Sequence, residues 1–286
     1  MRWTIEANNI VQMGIYQRVI GFGTLGNRKE IRKFGEIRGK FGTLPIFFCC
    51  ATIIPAVACT MPRIARIIAA GYPHHVTQRG NNRATVFFDD EDRQTYLQLL
   101  AGYAQKQNLQ IWAYCLMSNH LHLLAVPGTE TALSRGIGLT NQMYTQYLNR
   151  KLKQTGRVWQ NRFFSCVVES DQYLWAVARY IERNPLKVGL AVSAETYRWS
   201  SAKAHMTGTR DLLLGEDSWL SPQEQRAYAE FVGTEDEETD DAIRRATRTG
   251  RPFGSESFMD VLELRLNQSL RPGKPGRPRG KTGECP

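Results

Sequence analysis

The sequence predicts an α/β (α+β) fold: an antiparallel sheet flanked by helices in a split β-α-β arrangement, with a small helical C-terminal appendage. Three observations predict it. Across residues 61–210 the apolar pattern changes between periods of 2 and 3.6 in the order strand, helix, strand, strand, helix, strand, helix. The chain has 286 residues, 42% of them hydrophobic, which suffices for a full core and excludes disordered and collagen-like classes. No internal repeat is present, so a solenoid is not expected.

Each element has a local reason. Tyr72–Arg79 reads as a strand, ended by the turn signal Gly80-Asn81-Asn82. After the short apolar run Val86–Phe88, Asp89–Asp92 place acids where a first helical turn favours them. That helix runs to about Asn108, with Tyr96, Leu99, Leu100 and Tyr103 on one stripe. Leu109–Met117 alternates Trp112, Tyr114 and Leu116 and reads as a strand; Ser118-Asn119 interrupts it, and His120–Val126 forms the next, closed by Pro127-Gly128. Thr131–Lys153 is a long helix with a basic end, broken at Gly156. Val158–Val168 is strand-like, and Ser170 or Asp171 caps a helix that runs to about Arg183 and stops at Asn184-Pro185.

The flanks are different in character. Residues 1–60 form a poorly patterned extension whose apolar run Leu44–Cys59 is broken by Pro45 and Pro55, too short for a membrane span. Met61 is the expected true start of the native product, because Met61-Pro62-Arg63 opens the well-patterned part. Residues 211–286 are expected to be helical and charged, with helices at Pro222–Phe231, Asp240–Thr247 and Ser257–Leu266 after the acidic linker Glu235–Asp241. Their size suits a helix-turn-helix contact with double-stranded DNA, and Gly273–Arg279 carries a Gly-Arg-Pro core like a minor-groove-binding hook or a basic tail.

Charge points to polyanions. The net charge is +10 and the pI about 9.4. The surplus is concentrated in residues 61–210, with 18 basic and 9 acidic side chains, whereas residues 211–286 have 11 and 15. The six cysteines show neither paired zinc spacing nor the density of a disulfide framework, which fits a reduced, cytoplasmic setting.

His120-Leu121-His122 is the sharpest chemical feature. Residues two apart on a strand share a face, so the two imidazoles converge, as a partial divalent-metal site or as two satisfied polar residues of a sheet. Tyr180 and Asn184 are four apart and share a helical face; they suit a phenol nucleophile and an amide oxygen ligand, or a packed ring and a helix C-cap. On spacing alone Tyr144, Tyr147 and Tyr173 serve equally well.

Five blocks in order resemble the single-tyrosine HUH transposases, and among these the REP-associated tyrosine transposases. They are Tyr72–Arg79 with Gly80-Asn81, Tyr114–Leu124 with its His-Leu-His, Trp159–Phe163, Tyr180–Pro185 and Tyr197–Ser201, which together cover about 62–205. The resemblance implies a ferredoxin-like fold over residues 61–210. It implies metal ligation by His120 and His122 with Asn184 contributing, and Tyr180 as the nucleophile. Ser118 stands where relatives often have Pro. The implied activity is metal-dependent cleavage and rejoining of single-stranded DNA at hairpin-forming repeats through a 5′-phosphotyrosine, with Mg²⁺ or Mn²⁺. The implied partner is DNA, single-stranded and hairpin-forming; no membrane is implied, and the expected place is the cytoplasm, at the nucleoid. A homodimer stays open.

Arg135, Arg150, Lys151, Lys153, Arg157 and Arg162 cluster with Trp159 and Phe163 among them, as DNA contacts or as a solvated helix end with two core aromatics; the resemblance favours DNA contacts, with Arg79 added to them. Glu182, two residues from Tyr180, is expected to point elsewhere. A non-catalytic protein that recognises repeated hairpins is the main rival. A replication or conjugation initiator is expected to carry a Walker A motif, which is absent.

Overall fold

Hairpin pairing and crossover rules place four strands in one antiparallel sheet, in the order Leu109–Leu116, His120–Pro127, His74–Arg79, Phe164–Val167. The computed structural model describes residues 66–170, 172–215 and 219–271. The elements are β1 (His74–Arg79), α1 (Asp90–Lys106), β2 (Leu109–Leu116), β3 (His120–Pro127), α2 (Ala132–Lys151), β4 (Phe164–Val167), α3 (Gln172–Glu182), α4 (Asn184–Lys187), α5 (Ala202–Thr207), α6 (Pro222–Gly233), α7 (Glu237–Thr249) and α8 (Glu256–Leu266). The strand and helix order and the sheet order are ferredoxin-like, as expected. The expectations for residues 1–60 and for Gly273–Arg279 lie outside the described residues.

Strand alternation divides the sheet into two faces. On one, Val76, Tyr114, Leu116, Leu121 and Leu123 pack under α1 and α2 through Tyr96, Leu100, Ile137, Tyr144 and Leu148. On the other, Ala113, Cys115, Leu124 and Cys166 pack under α3, α6 and α7 through Val177, Ile181, Tyr228, Val232 and Ile243. Asp89 caps α1, its Oδ1 accepting from the Asp92 N–H at 3.0 Å. Ser221 and Glu224 form a reciprocal capping box on α6.

Three expectations are corrected. The strand read over Val158–Val168 is regular only at Phe164–Val167. Trp159 turns off the sheet into the first core, its Nε1 donating to the Asn141 carbonyl at 3.2 Å, and Asn161 takes a left-handed φ of 55° that ends extended backbone. The helix does not stop at Asn184-Pro185: after a break at Arg183, α4 adds one turn, which tolerates Pro185 at its start because no N–H is needed there. The C-terminal helices do not form a detached helix-turn-helix. Ile243 of α7 lies in the second core, and Phe258 and Leu262 of α8 form a third with Ile67, Ala69 and Val167. These buried residues hold α7 and α8 against the domain, while Val261 and Leu264 of α8 stay exposed. No helix among the described residues is long and apolar enough to cross a membrane.

Candidate active site

The site lies on the sheet face under α3, where β1 and β3 run side by side. Their register sets Arg79 opposite His120 and Thr77 opposite His122. His75, two residues before Thr77, shares that face. Helix α3 crosses above, and its 3.6-residue period brings Tyr180 and, after the break, Asn184 over the histidines. Together Arg79, His120, His122, Tyr180 and Asn184 line one cavity of about 510 Å³. Helix α7 closes it with Arg244, Thr247 and Arg248. Five of the expected residues are thus brought together across four elements, β1, β3, α3 and α4.

The rings pack edge to edge. Tyr180 sits 5.5 Å from the His75 and His122 ring centres, edge-on to both, and His120 lies 5.2 Å from His122. The Tyr180 hydroxyl makes no hydrogen bond within the described residues. Burial pushes its phenol up to about 12, opposed by the cations Arg244 and Arg79 and reinforced by Asp240. Burial likewise holds the imidazoles neutral: His75 falls to about 3, His120 to about 4, and His122 well below its ordinary value. Lys187 stands 5.4 Å over the Tyr180 ring and is tied to Asp240.

The donor set fits a divalent cation. Asn119 Nδ2 donates to the Arg83 carbonyl at 3.1 Å, which turns its Oδ1 toward His120 Nδ1 at 2.7 Å. His120 Nδ1 therefore carries the proton, and its Nε2 keeps a lone pair. His122 Nδ1 is engaged by His75 Nε2 at 3.0 Å, so only its Nε2 remains for a ligand. Asn184 Nδ2 donates to the carbonyls of Tyr180 at 2.7 Å and Ile181 at 3.3 Å, which leaves its Oδ1 as an acceptor. Two imidazole nitrogens and an amide oxygen, each oriented by a second hydrogen bond, are a ligand set of the kind divalent ions accept. Among the described residues no group of three His, Cys, Asp or Glu could hold a metal ion. Glu182 points away, as expected: it is fully buried and accepts from Ser201, His205 and Tyr228.

The remaining expected DNA contacts lie apart from this cavity. Arg157, Trp159 and Arg162 line a groove of about 760 Å³ with Arg66, Gln78 and Asn141. A smaller cavity of about 310 Å³ shares Arg66, Arg162 and Phe163 with that groove, and Phe164, Thr247 and Arg248 with the tyrosine cavity. Arg135, Arg150 and Lys153 are exposed on and after α2. Two expectations need correction. Trp159 is only 8% exposed and packs against Phe87, Tyr96 and Tyr144, so it offers no free stacking face. Lys151 is held at 2.7 Å by both Asp89 and Asp92 and at 3.5 Å by Glu91, so its charge is spent inside the protein. Sequence reasoning missed Phe164, which is half exposed, and all of α7; nothing in a local motif connects residue 247 to residue 75.

Residues 70–184 match the family model described as "Transposase IS200 like". The match agrees with the single-tyrosine HUH resemblance carried by the sequence motifs. The match spans about two-fifths of the chain and contains β1 to α3, His120, His122, Tyr180 and Asn184. Helices α5 to α8 lie beyond it. Among solved structures, the chain is similar to a REP-associated tyrosine transposase bound to a REP hairpin, at 17% identity and TM-score 0.43, over 57% of this chain and 96% of that one. It is also similar to a putative transposase from Deinococcus radiodurans R1, at 19% identity and TM-score 0.31, over 43% of this chain and 97% of that one. No curated protein matches the sequence.

Proposed function

We propose that this transposase cleaves and rejoins single-stranded DNA beside hairpin-forming repeats, with Tyr180 as the nucleophile and a divalent cation, Mg²⁺ or Mn²⁺, held by His120, His122 and Asn184. The observation that carries the reading is the convergence of these four residues on one cavity, with the Nδ1 of each histidine engaged by a neighbour and its Nε2 left outside those bonds. A divalent ion bound there supplies charge against the anionic scissile phosphate.

The protein's own residues do the rest. Tyr180 Oη attacks phosphorus, the bond to the 3′-oxygen breaks, and the products are a 5′-phosphotyrosine and a 3′-hydroxyl. Attack by a second 3′-hydroxyl reverses the step and rejoins strands without an external energy source. A phenol raised to about 12 is protonated at neutral pH, so ionisation of Tyr180 has to be assisted at the moment of reaction. Arg244 and Arg79 are the cations that favour its phenolate. The neighbouring structure bound to a REP hairpin supports hairpin DNA as the substrate class.

The test is incubation of the protein with labelled hairpin-bearing single-stranded DNA and Mn²⁺, read as a covalent protein–DNA band on a denaturing gel. The wild type is expected to give the band, and Tyr180→Phe to give none while still binding DNA. Absence of the band in wild type on every host repeat, with binding intact, would leave a hairpin-binding protein instead.

A further inference from the structure

We propose that Thr247, on α7 and outside the family-matched segment, is a positioning residue for the metal site: its hydroxyl sets the tautomer of His75, and through it that of His122. The inference rests on the reading of His122 as a metal ligand.

Thr247 Oγ1 donates to the Ile243 carbonyl one turn earlier, at 2.8 Å, a common use of a helical threonine. A hydroxyl has one proton, so toward His75 the oxygen presents only lone pairs. His75 Nδ1 is 2.7 Å away and must be the donor. His75 is fully buried and its Nε2 faces a second imidazole nitrogen at 3.0 Å, an arrangement that needs one donor and one acceptor and so a ring with a single N–H. With that proton on Nδ1, its Nε2 can only accept. His122 Nδ1, 3.0 Å from it, must then donate, which strips the proton from His122 Nε2 and aims a lone pair out of the protein network. Cys166 Sγ lies 3.3 Å from Thr247 Oγ1 and takes up its remaining acceptor capacity. His75 and His122 are stacked at 9° and Thr247 is buried, so water has little access to substitute for any of these bonds.

The opposite arrangement shows why the hydroxyl matters. If Thr247 lost its oxygen, the His75 Nδ1–H would be buried without an acceptor. The pair would relax by moving that proton to Nε2, which donates to His122 Nδ1 and forces the His122 proton onto Nε2. That tautomer has no lone pair to give. Removing such an outer partner of a ligating histidine typically lowers metal affinity by about 10–100-fold. A helix from beyond residue 184 thereby prepares a ligand that the matched segment carries.

The experiment uses the full chain labelled with ¹⁵N-histidine and stripped of metal with EDTA. Long-range ¹H–¹⁵N spectra report which ring nitrogen is protonated, and His122→Gln assigns the His122 signals. In wild type, His75 and His122 are both expected to be protonated at Nδ1. Thr247→Val is expected to move His122 toward Nε2–H and to weaken Mn²⁺ binding, measured by electron paramagnetic resonance, by about 10–100-fold. Thr247→Ser, which keeps the oxygen, is expected to restore both. A wild-type His122 protonated at Nε2 overturns the proposal before any variant is made. So does an unchanged tautomer in Thr247→Val, or a Thr247→Ser that behaves like the valine variant. If wild type binds no Mn²⁺, the metal reading falls by itself, and the spectra still decide whether Thr247 governs the tautomer.

Discussion

Single residues in this protein are understood through what their second polar atom does. His74 illustrates it outside the active site. Its Nδ1 donates to the Tyr72 carbonyl at 2.8 Å and its Nε2 accepts from the Ala69 N–H at 3.2 Å, so the neutral ring satisfies both neighbours and a charged one would repel the Ala69 donor. Burial lowers its pKa to about 4. The unfolded chain takes up this proton near pH 6.5 and the folded chain only near 4, so stability falls as pH drops through that window. Between pH 6.5 and 5 the group is expected to cost up to about 1.4 kcal/mol per pH unit. Urea unfolding of wild type and His74→Gln at several pH values checks it: the wild-type curve should fall more steeply, and parallel curves would show that His74 does not drive the slope.

At the level of elements, α7 is the piece that ties the C-terminal region to the segment matched by the family model. Ile243 is fully buried in the core shared with α3 and α6, one turn before Thr247. Ile243→Ala is expected to destabilise the domain by about 2–5 kcal/mol with a single unfolding transition. Two transitions, or an unchanged midpoint, would mean that α7 folds as a separate unit. The same helix marks how far the sequence could be read. Strands β1 to β3 and helices α1 to α3 were legible because each buries one face and shows it as a period, and because the His-Leu-His and tyrosine blocks lie inside them. The contact of Thr247 with His75 was not legible, since it joins residues 172 positions apart through a polar pair that leaves no periodic trace. The irregular stretch before β4 failed for a related reason: Trp159 and Phe163 look like strand residues, yet Trp159 is committed to the core beneath α2. Aromatic content alone does not separate a pleated surface from a ring that anchors a loop.

Across the whole molecule, the useful quantity is where the cations remain unpaired with protein acids. Within the described residues Arg135, Arg150, Lys153, Arg157 and Arg162 form no ion pair, whereas Lys151 in their midst is bound by three acids. Arg248, Arg162, Arg66 and Arg157 follow one another along the adjoining cavities that lead away from Tyr180, with the half-exposed Phe164 between Arg162 and the tyrosine cavity. Such a track suits a single strand, whose phosphates meet the guanidiniums while a base stacks on the ring. Each phosphate neutralised on a single strand adds about 0.7 to the dependence of log affinity on log salt. Arg162→Gln is therefore expected to weaken binding to an unstructured oligonucleotide at low salt and to flatten that slope by about 0.7. Lys151→Gln is expected to leave the slope unchanged, although net charge falls equally in both variants. It should lower thermal stability instead, because Asp92, whose side chain is fully buried, loses its cation. Fluorescence anisotropy between low and moderate salt separates the two. Equal losses of slope would mean that total charge, rather than the geometry of the track, governs binding, and that Lys151 leaves its acids to meet DNA.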